Sequence, residues 1–297
     1  MIWNKIPTEN IRKKIIDEIC HKFPFVHNQI IGNSVCGRAI NALSIGNDKT
    51  GVLWVSAHHG LEWLTTLLVL RFLNDICEKI NNNENICGIN IKKSFNRRGL
   101  VIVPCLNPDG IEIAVNGFDS ALKSSPILAL MDETLSKVWQ SNAHGVDLNH
   151  NYDAGWNELH NLETIHGING PSHTRYGGKS PESEPETHAL TMFCQKNNFE
   201  YAIAFHSQGE EIYWNYGNNT PKISERFAKI FALMSGYIVS RPEGLAVGGG
   251  FKDWFIEKFR KPAYTIEIGK GKNPLPVESF ENIYAKIKNA LYMSALT

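Results

Sequence analysis

The chain has 297 residues, of which 42% are hydrophobic and 20% are charged, and this is enough to bury a full core. Its formal net charge of +0 gives no electrostatic reason to expect a nucleic-acid partner or a membrane-surface partner. The N-terminal residues contain no apolar signal-peptide core, and no apolar run is as long as a membrane span. We therefore expect a cytoplasmic protein.

The cysteines show neither a C-x-x-C pair nor the dense spacing of a disulfide framework. This pattern favours reduced thiols in a reducing compartment and argues against a thiolate metal site. The six residues are Cys20, Cys36, Cys77, Cys87, Cys105 and Cys194.

Apolar runs and helical periodicity alternate along the first half of the chain. A polar, Asn-rich break at 81–85 predicts an exposed loop. The other predicted elements are helices at 11–20, 62–80 and 126–142, a hairpin made by 26–31 and 36–44, buried strands at 51–57 and 99–105, and a turn at 107–110.

The second half begins with an irregular segment at 145–178, which is rich in Gly, Asn and His. Such a long aperiodic segment inside a domain is usually functional or mobile. Strands alternating with helices then predict an α/β fold with helices on both sheet faces, in a single domain spanning 1–297 that includes the N-terminal helix and hairpin at 1–45. The predicted elements are helices at 183–197, 221–235, 251–259 and 276–296, and strands at 201–205 and 263–268.

Three potential metal ligands lie just beyond two of the predicted strands. His59 and Glu62 follow the strand at 51–57, and His206 follows the strand at 201–205. Open α/β sheets place ligand sites beyond the carboxyl ends of their strands, so these side chains should meet at one edge. Two His and one Glu form a donor set typical of catalytic zinc, which keeps one coordination position open.

Two further acidic residues extend this pattern. Glu267 is a lone carboxylate in the apolar strand at 263–268, where burial without a role would be costly, so it is a candidate general base. Asp147 is a candidate acceptor for the second N–H of a ligand imidazole. Each residue alone also fits a structural role, such as a core histidine, a helix N-terminus or an internal ion pair. Their combination makes coincidence less plausible.

The chain resembles the zinc carboxypeptidases of the carboxypeptidase A type. Five motifs occur in the order seen in that family: HGLE at 59–62, NPDG at 107–110, GVDLN at 145–149, HS at 206–207 and TIE at 265–267. The resemblance covers roughly 51–269. It implies a mixed, mostly parallel sheet of about eight strands with helices on both faces. It also implies one Zn²⁺ held by His59, Glu62 and His206, with Glu267 as the base.

Three positions depart from the family pattern. His150 stands where ordinary members have the Arg that grips a terminal carboxylate, and a neutral imidazole cannot make that charged fork. His144 stands where many members have an Arg that polarises the scissile carbonyl, and Leu245 stands roughly where a Tyr is often found. These departures argue against an ordinary carboxypeptidase activity.

The same region resembles the bacterial γ-D-glutamyl-diaminopimelate peptidases, through GVDLNHNYDAGW at 145–156 and the segment at 170–186. This resemblance implies cleavage between γ-D-Glu and meso-diaminopimelate in peptidoglycan stem peptides. We expect Arg175 and Lys252 near the substrate carboxylates, although both could equally be surface cations. Asn149 and His150 are the other expected substrate contacts.

The expected reaction is zinc-assisted amide hydrolysis, in which Glu267 moves the proton and His144 donates to the developing oxyanion. The expected partner is a muropeptide stem, and the oligomeric state stays open. Three alternatives remain: an ordinary zinc carboxypeptidase acting on α-linked peptides, a deacylase of small amino acids, and a catalytically silent protein that binds cell-wall fragments.

Overall fold

Strands and α-helices alternate along the residues that this computed structural model describes, which are 2–47, 51–86 and 88–296. The strands are β1 (His27–Asn33), β2 (Ala39–Gly46), β3 (Gly51–Ser56), β4 (Asn85–Ile86), β5 (Ile89–Asn90), β6 (Gly99–Val103), β7 (Phe199–His206), β8 (Glu211–Tyr213), β9 (Ile238–Ser240) and β10 (Ala263–Glu267). The helices are α1 (Glu9–Lys22), α2 (Leu64–Asn81), α3 (Ile91–Phe95), α4 (Pro108–Asn116), α5 (Trp156–Ile165), α6 (Pro185–Lys196), α7 (Ile223–Ser235), α8 (Phe251–Phe259) and α9 (Phe280–Leu296).

One mixed sheet carries eight of these strands in the order β1-β2-β6-β3-β7-β10-β8-β9. Its centre is parallel, since β6, β3, β7 and β10 all run in the same direction. On one side of this centre β2 pairs antiparallel to β6 and β1 antiparallel to β2; on the other side β8 pairs antiparallel to β10, and β9 runs parallel to β8. The predicted mixed, mostly parallel sheet of about eight strands is therefore confirmed.

Helices cover both faces of the sheet, as the side-chain alternation of β3 shows. Val52 and Trp54 pack in the larger hydrophobic cluster with residues of α1, α2, α7 and α9. Leu53 and Val55 pack in a second cluster with residues of α6 and α8. Every residue of β3 is buried, as expected for a central parallel strand covered on both sides.

Two predictions about local structure were wrong. Residues 107–110 do not form a turn but begin α4: the Asn107 side chain accepts a hydrogen bond from the Gly110 N–H at 2.8 Å, and Pro108 occupies the first turn. Residues 126–142 do not form one helix but contain the 3₁₀ segments Pro126–Leu130 and Glu133–Val138. The interruption arises because Met131 is extended and Asp132 caps the second segment.

The sequence also failed to predict some elements. The segment at 145–178 contains α5, which begins after Gly155 in a left-handed conformation at φ 61°. The short strands β8 and β9 complete one edge of the sheet. Cys87 lies outside the described residues; the other five cysteines are unpaired in the structure. Among the described helices, none has both the length and the apolar character to cross a membrane.

Candidate metal centre

The carboxyl ends of three parallel strands bring the candidate ligands together. His59 follows β3, His206 is the last residue of β7, and Glu267 is the last residue of β10. The strand register pairs Glu267 with His206 and Phe205 with Ser56, so the three strands end at one level. The topology therefore places the imidazoles and the carboxylate at one edge of the sheet.

His59, Glu62 and His206 form a tight cluster of potential metal donors. The Nδ1 atom of His59 lies 2.8 Å from one Glu62 oxygen, and the Nδ1 atom of His206 lies 3.1 Å from the other. The two Nδ1 atoms are 3.3 Å apart. Two imidazole nitrogens bound to one tetrahedral zinc at its usual bond length would be separated by roughly the same 3.3 Å. The residues and their spacing thus fit a zinc ion.

Asp147 orients one of these ligands. Its Oδ1 atom lies 3.0 Å from the Nε2 atom of His59, and its Oδ2 atom accepts the backbone N–H of Arg175 at 2.9 Å. An acceptor on Nε2 fixes the proton there and leaves the Nδ1 lone pair free for a metal. Burial alone would raise the pKa of Asp147, but the His59 imidazole and these hydrogen bonds outweigh it and hold the pKa well below its usual range.

The adjacent histidine, His58, is a core residue rather than a ligand. It is fully buried, its Nε2 atom lies 3.1 Å from the Tyr152 hydroxyl, and its ring stacks on His206 at 5.2 Å. Burial, together with the neighbouring His206, lowers its pKa well below the ordinary value. A neutral His58 therefore packs against the ring of His206, one of the three potential metal ligands.

The close packing of carboxylates and imidazoles in this cluster shifts the pKa values of Glu62 and Glu267 in opposite directions. Burial would raise the pKa of Glu62, but His59 and His206 outweigh burial and lower it to about 2. In contrast, burial and repulsion from Glu62 raise the pKa of Glu267 well above the usual carboxyl range. In the part of the chain that the structure describes, no Lys or Arg pairs with Glu267. These two carboxylates thus differ in character, since Glu62 is held ionised whereas Glu267 holds a proton more readily than an ordinary carboxyl group.

A cavity of about 770 Å³ opens over the site. It is lined by His59, His206 and Glu267, and by Asp147, the predicted acceptor for a ligand imidazole. All four predicted substrate-binding residues also line it: Asn149, His150, Arg175 and Lys252.

The two predicted cations differ in their surroundings. Lys252 is buried at 4% exposure, forms an ion pair with Asp253, and donates to the carbonyl oxygen of Asn215 at 2.9 Å. Arg175 is exposed at the cavity edge with φ 65°, and no carboxylate of the described residues pairs with its guanidinium. The Lys252 ammonium is therefore held in one position in the cavity wall, whereas the Arg175 guanidinium at the cavity rim has no carboxylate partner among the described residues.

Asn149 and His150 are held from outside the cavity. The Oδ1 atom of Asn149 accepts the backbone N–H of Phe251 at 3.1 Å, which ties it to the start of α8. The Nδ1 atom of His150 lies 2.8 Å from Glu163, a fully buried residue of α5. The sequence pattern did not lead to a prediction for Glu163, although His160-x-x-Glu163 repeats the spacing of His59-x-x-Glu62.

The structure does not bring His144 to this site. His144 is not among the described residues that line the cavity, and its Nδ1 atom lies 2.8 Å from Glu184. The hydrogen bond from Glu184 raises its pKa. This geometry gives no support to the predicted oxyanion role, since the ring is engaged by a carboxylate away from the cavity.

Comparison with known proteins agrees with the geometry. A family model described as zinc carboxypeptidase matches residues 13–290. A γ-D-glutamyl-L-diamino acid endopeptidase 1 of Lysinibacillus sphaericus is 35% identical over 264 residues, which is 88% of this chain and 65% of that protein. The human mast cell carboxypeptidase A is 26% identical, over 91% of this chain and 63% of that protein. The chain thus spans less than two thirds of either relative.

A structural neighbour shows the same fold. Bovine thrombin-activatable fibrinolysis inhibitor, solved in complex with tick carboxypeptidase inhibitor, superposes with a TM-score of 0.77 at 20% identity. The match covers 99% of this chain and 97% of that one.

Proposed function

This chain belongs to the zinc carboxypeptidase family, and we propose that it is a metallopeptidase that hydrolyses the bond between γ-D-Glu and meso-diaminopimelate in peptidoglycan stem peptides. The observation that carries the proposal is the buried Lys252–Asp253 pair, which lines the same cavity as His59, His206 and Glu267. The 35% identity to an endopeptidase whose name specifies γ-D-glutamyl-L-diamino acid bonds supports the same substrate class.

The hydrolytic step needs one metal ion and one base. A single Zn²⁺ held by His59, Glu62 and His206 would supply Lewis-acid activation of the scissile carbonyl and of the attacking water. Asp147 keeps the His59 ring in the orientation that binding requires. Glu267, at the end of β10 and facing the cavity, takes a proton from water and delivers it to the leaving amine. Its raised pKa suits both halves of this transfer.

The cavity charges match the product-side residue of the proposed substrate. The distal end of meso-diaminopimelate carries an ammonium and a carboxylate on one carbon. Lys252 and Asp253 offer the opposite charges side by side, and both line the cavity. Arg175 and His150 are then available for the other carboxylate, and Asn149 for hydrogen bonds.

The second candidate is an ordinary carboxypeptidase acting on α-linked peptides, which the 26% identity to a mast cell carboxypeptidase A favours. Against it stands His150, because one imidazole cannot reproduce the two parallel bonds of an Arg to a terminal carboxylate. A catalytically silent binding protein is less well supported, since the three ligands and Glu267 are all in place.

A cleavage assay tests these candidates together. The zinc-loaded protein is incubated with L-Ala-γ-D-Glu-meso-diaminopimelate and, separately, with its α-linked isomer, and products are identified by mass spectrometry. We expect release of L-Ala-D-Glu from the γ-linked peptide, loss of release with a chelator, and recovery when zinc is restored. Preferential cleavage of the α-linked isomer would identify an ordinary carboxypeptidase. Binding of either peptide without any cleavage would identify a silent protein.

A further inference from the structure

A buried carboxylate connects two histidines behind the cavity wall. One Glu163 oxygen lies 2.8 Å from the Nδ1 atom of His150, and the other lies 3.0 Å from the Nδ1 atom of His160. The second oxygen also accepts the backbone N–H of Gly177 at 3.1 Å. Glu163 has 0% exposure, so each of its oxygens is satisfied by these partners alone. The carboxylate is therefore fixed in place and directed at His150.

His150 is itself tightly positioned. Its backbone N–H donates to the carbonyl oxygen of Asp147 at 3.0 Å, and its carbonyl lies so close to Gly249 that an added Cβ there would be only 2.8 Å from the oxygen. His150 as a whole residue is 8% exposed, and it lines the cavity. With Nδ1 engaged by Glu163, Nε2 is the ring nitrogen left for a ligand.

We propose that Glu163 is a positioning residue which holds His150 as a doubly protonated imidazolium, so that Nε2–H binds a carboxylate of the substrate. The proposal rests on the proposed function, and it adds how a histidine can replace the family's carboxylate-binding arginine. Glu163 itself touches no substrate and acts through His150.

The hydrogen-bond inventory supports this charge state. A neutral ring protonated at Nδ1 would satisfy Glu163 but turn the Nε2 lone pair toward the substrate carboxylate. A neutral ring protonated at Nε2 would satisfy the substrate but turn the Nδ1 lone pair toward Glu163. Both carboxylates are acceptors, so only the imidazolium donates to both. Substrate binding must therefore take up a proton whenever the free His150 is neutral.

The other charges around His150 come from several elements. Asp147 lies three residues earlier on the same segment, and His160 lies on α5 beyond Glu163. Lys252 and Asp253 on α8, and the rim residues Arg175, His166 and His173, line the same cavity. Among the described residues, Glu163 is the ionisable side chain that hydrogen-bonds His150. Removing its charge should therefore act directly on its two histidine partners, and of these two His150 is the one that lines the cavity.

Kinetics of the Glu163→Gln variant test the proposal, because glutamine keeps the shape and removes the charge. The matched control is Glu112→Gln, another buried carboxylate with two hydrogen-bond donors, which does not line the cavity. At neutral pH we expect KM to rise about tenfold in Glu163→Gln with kcat nearly unchanged, since one charge-assisted hydrogen bond to the substrate is lost. KM should increase with pH in both enzymes, and in Glu163→Gln this increase should begin at a lower pH than in the wild type. An unchanged KM–pH profile, or an equal loss in kcat, would overturn the proposal.

Calorimetry separates this inference from the proposed function. Binding of meso-diaminopimelate is measured in buffers of different ionisation enthalpy, which reports proton uptake without any turnover. Near the upper end of the pH range in which binding can still be measured, we expect the wild type and Glu112→Gln to take up a proton when they bind diaminopimelate. Under the same conditions, Glu163→Gln should bind more weakly and take up less of a proton. Equal uptake by all three proteins would refute the role of Glu163. If the wild type does not bind diaminopimelate, the substrate class is wrong, and the same titration with the C-terminal product of whichever peptide is cleaved decides the role of Glu163.

Discussion

Glu267 and Glu211 are paired directly across the β10–β8 ladder, yet their surroundings differ. Glu267 faces the cavity, whereas the carboxylate of Glu211 accepts a hydrogen bond from the Tyr213 hydroxyl. This pair supplies an internally matched test of the proposed base. We expect Glu267→Gln to lower kcat by about 100- to 10,000-fold while zinc content is retained, because general-base catalysis is lost.

Glu211→Gln is the control for that measurement, and it should leave kcat close to the wild-type value. Steady-state kinetics with metal analysis of each variant provide both readouts. Wild-type turnover by Glu267→Gln would remove this residue from the mechanism. A loss of zinc in the same variant would show that it acts on the metal site instead.

We expect the His144–Glu184 pair to contribute to stability in a way that depends on pH. The hydrogen bond to Glu184 raises the pKa of His144, so its contribution is complete below the unfolded-state value and is lost as pH rises through the folded-state value. Burial would raise the pKa of Glu184, but His144 and Asn142 outweigh it, so the Glu184 contribution is lost as pH falls. Both groups are charged between about pH 5 and pH 6.

We therefore expect His144→Gln to destabilise the fold by at most about 1 kcal/mol near pH 5.5, since the half-exposed histidine is screened by solvent. The difference from the wild type should disappear at alkaline pH, where His144 is neutral. Urea unfolding at several pH values measures this. A difference that stays constant with pH would indicate lost packing rather than lost charge.

Asn107 links the start of α4 to the backbone of His58 and Ser141. Its Oδ1 atom caps α4 through the Gly110 N–H, while its Nδ2 atom donates to the carbonyl oxygens of His58 at 2.9 Å and Ser141 at 3.0 Å. The residue is fully buried. We expect Asn107→Ala to cost about 2–4 kcal/mol of unfolding free energy, because the cap is lost and buried carbonyls lose their donor.

Asn107→Asp separates the two functions, because a carboxylate can cap the helix but cannot donate to carbonyls. We expect this variant to be destabilised as well, with weaker zinc binding because the carbonyl of His58 is no longer held. Denaturant unfolding and zinc titration measure the two effects. Wild-type stability in Asn107→Asp would show that capping alone is the role of Asn107.

The sequence made some elements predictable and hid others for physical reasons. His59 and His206 were accessible because each follows an apolar run that is buried on both faces and therefore reads as a strand. The start of α4 was missed because Asn-Pro-Asp-Gly suits a turn and a capped helix equally well.

The contacts between distant residues could not be predicted from local patterns. The Glu163–His150 contact depends on α5 folding back from a segment without periodicity. The Glu184–His144 contact joins residues 40 apart, which no local pattern reveals.

At the scale of the whole molecule, the metal site joins distant parts of the chain. His59 and His206 are 147 residues apart in sequence, and their strands are adjacent at the centre of the sheet. A zinc ion bound there stabilises the folded state and has no preformed site in the unfolded one. At a free zinc concentration about 100 times the dissociation constant, the gain is about 2.7 kcal/mol.

We propose that the chain unfolds as a single domain, and the metal provides the test. Zinc should raise the melting temperature by roughly 5–10 °C in one cooperative transition, since a large domain shifts by about 2–4 °C per kcal/mol. Differential scanning calorimetry with zinc and with a chelator measures both quantities, and His206→Ala is the control that should lose the shift. An equal shift in His206→Ala would place the ion elsewhere. Two separated transitions, with only one sensitive to zinc, would divide the chain into units and contradict the single-domain proposal. We expect a single transition because His59 and His206 lie at the carboxyl ends of adjacent strands at the centre of one continuous sheet.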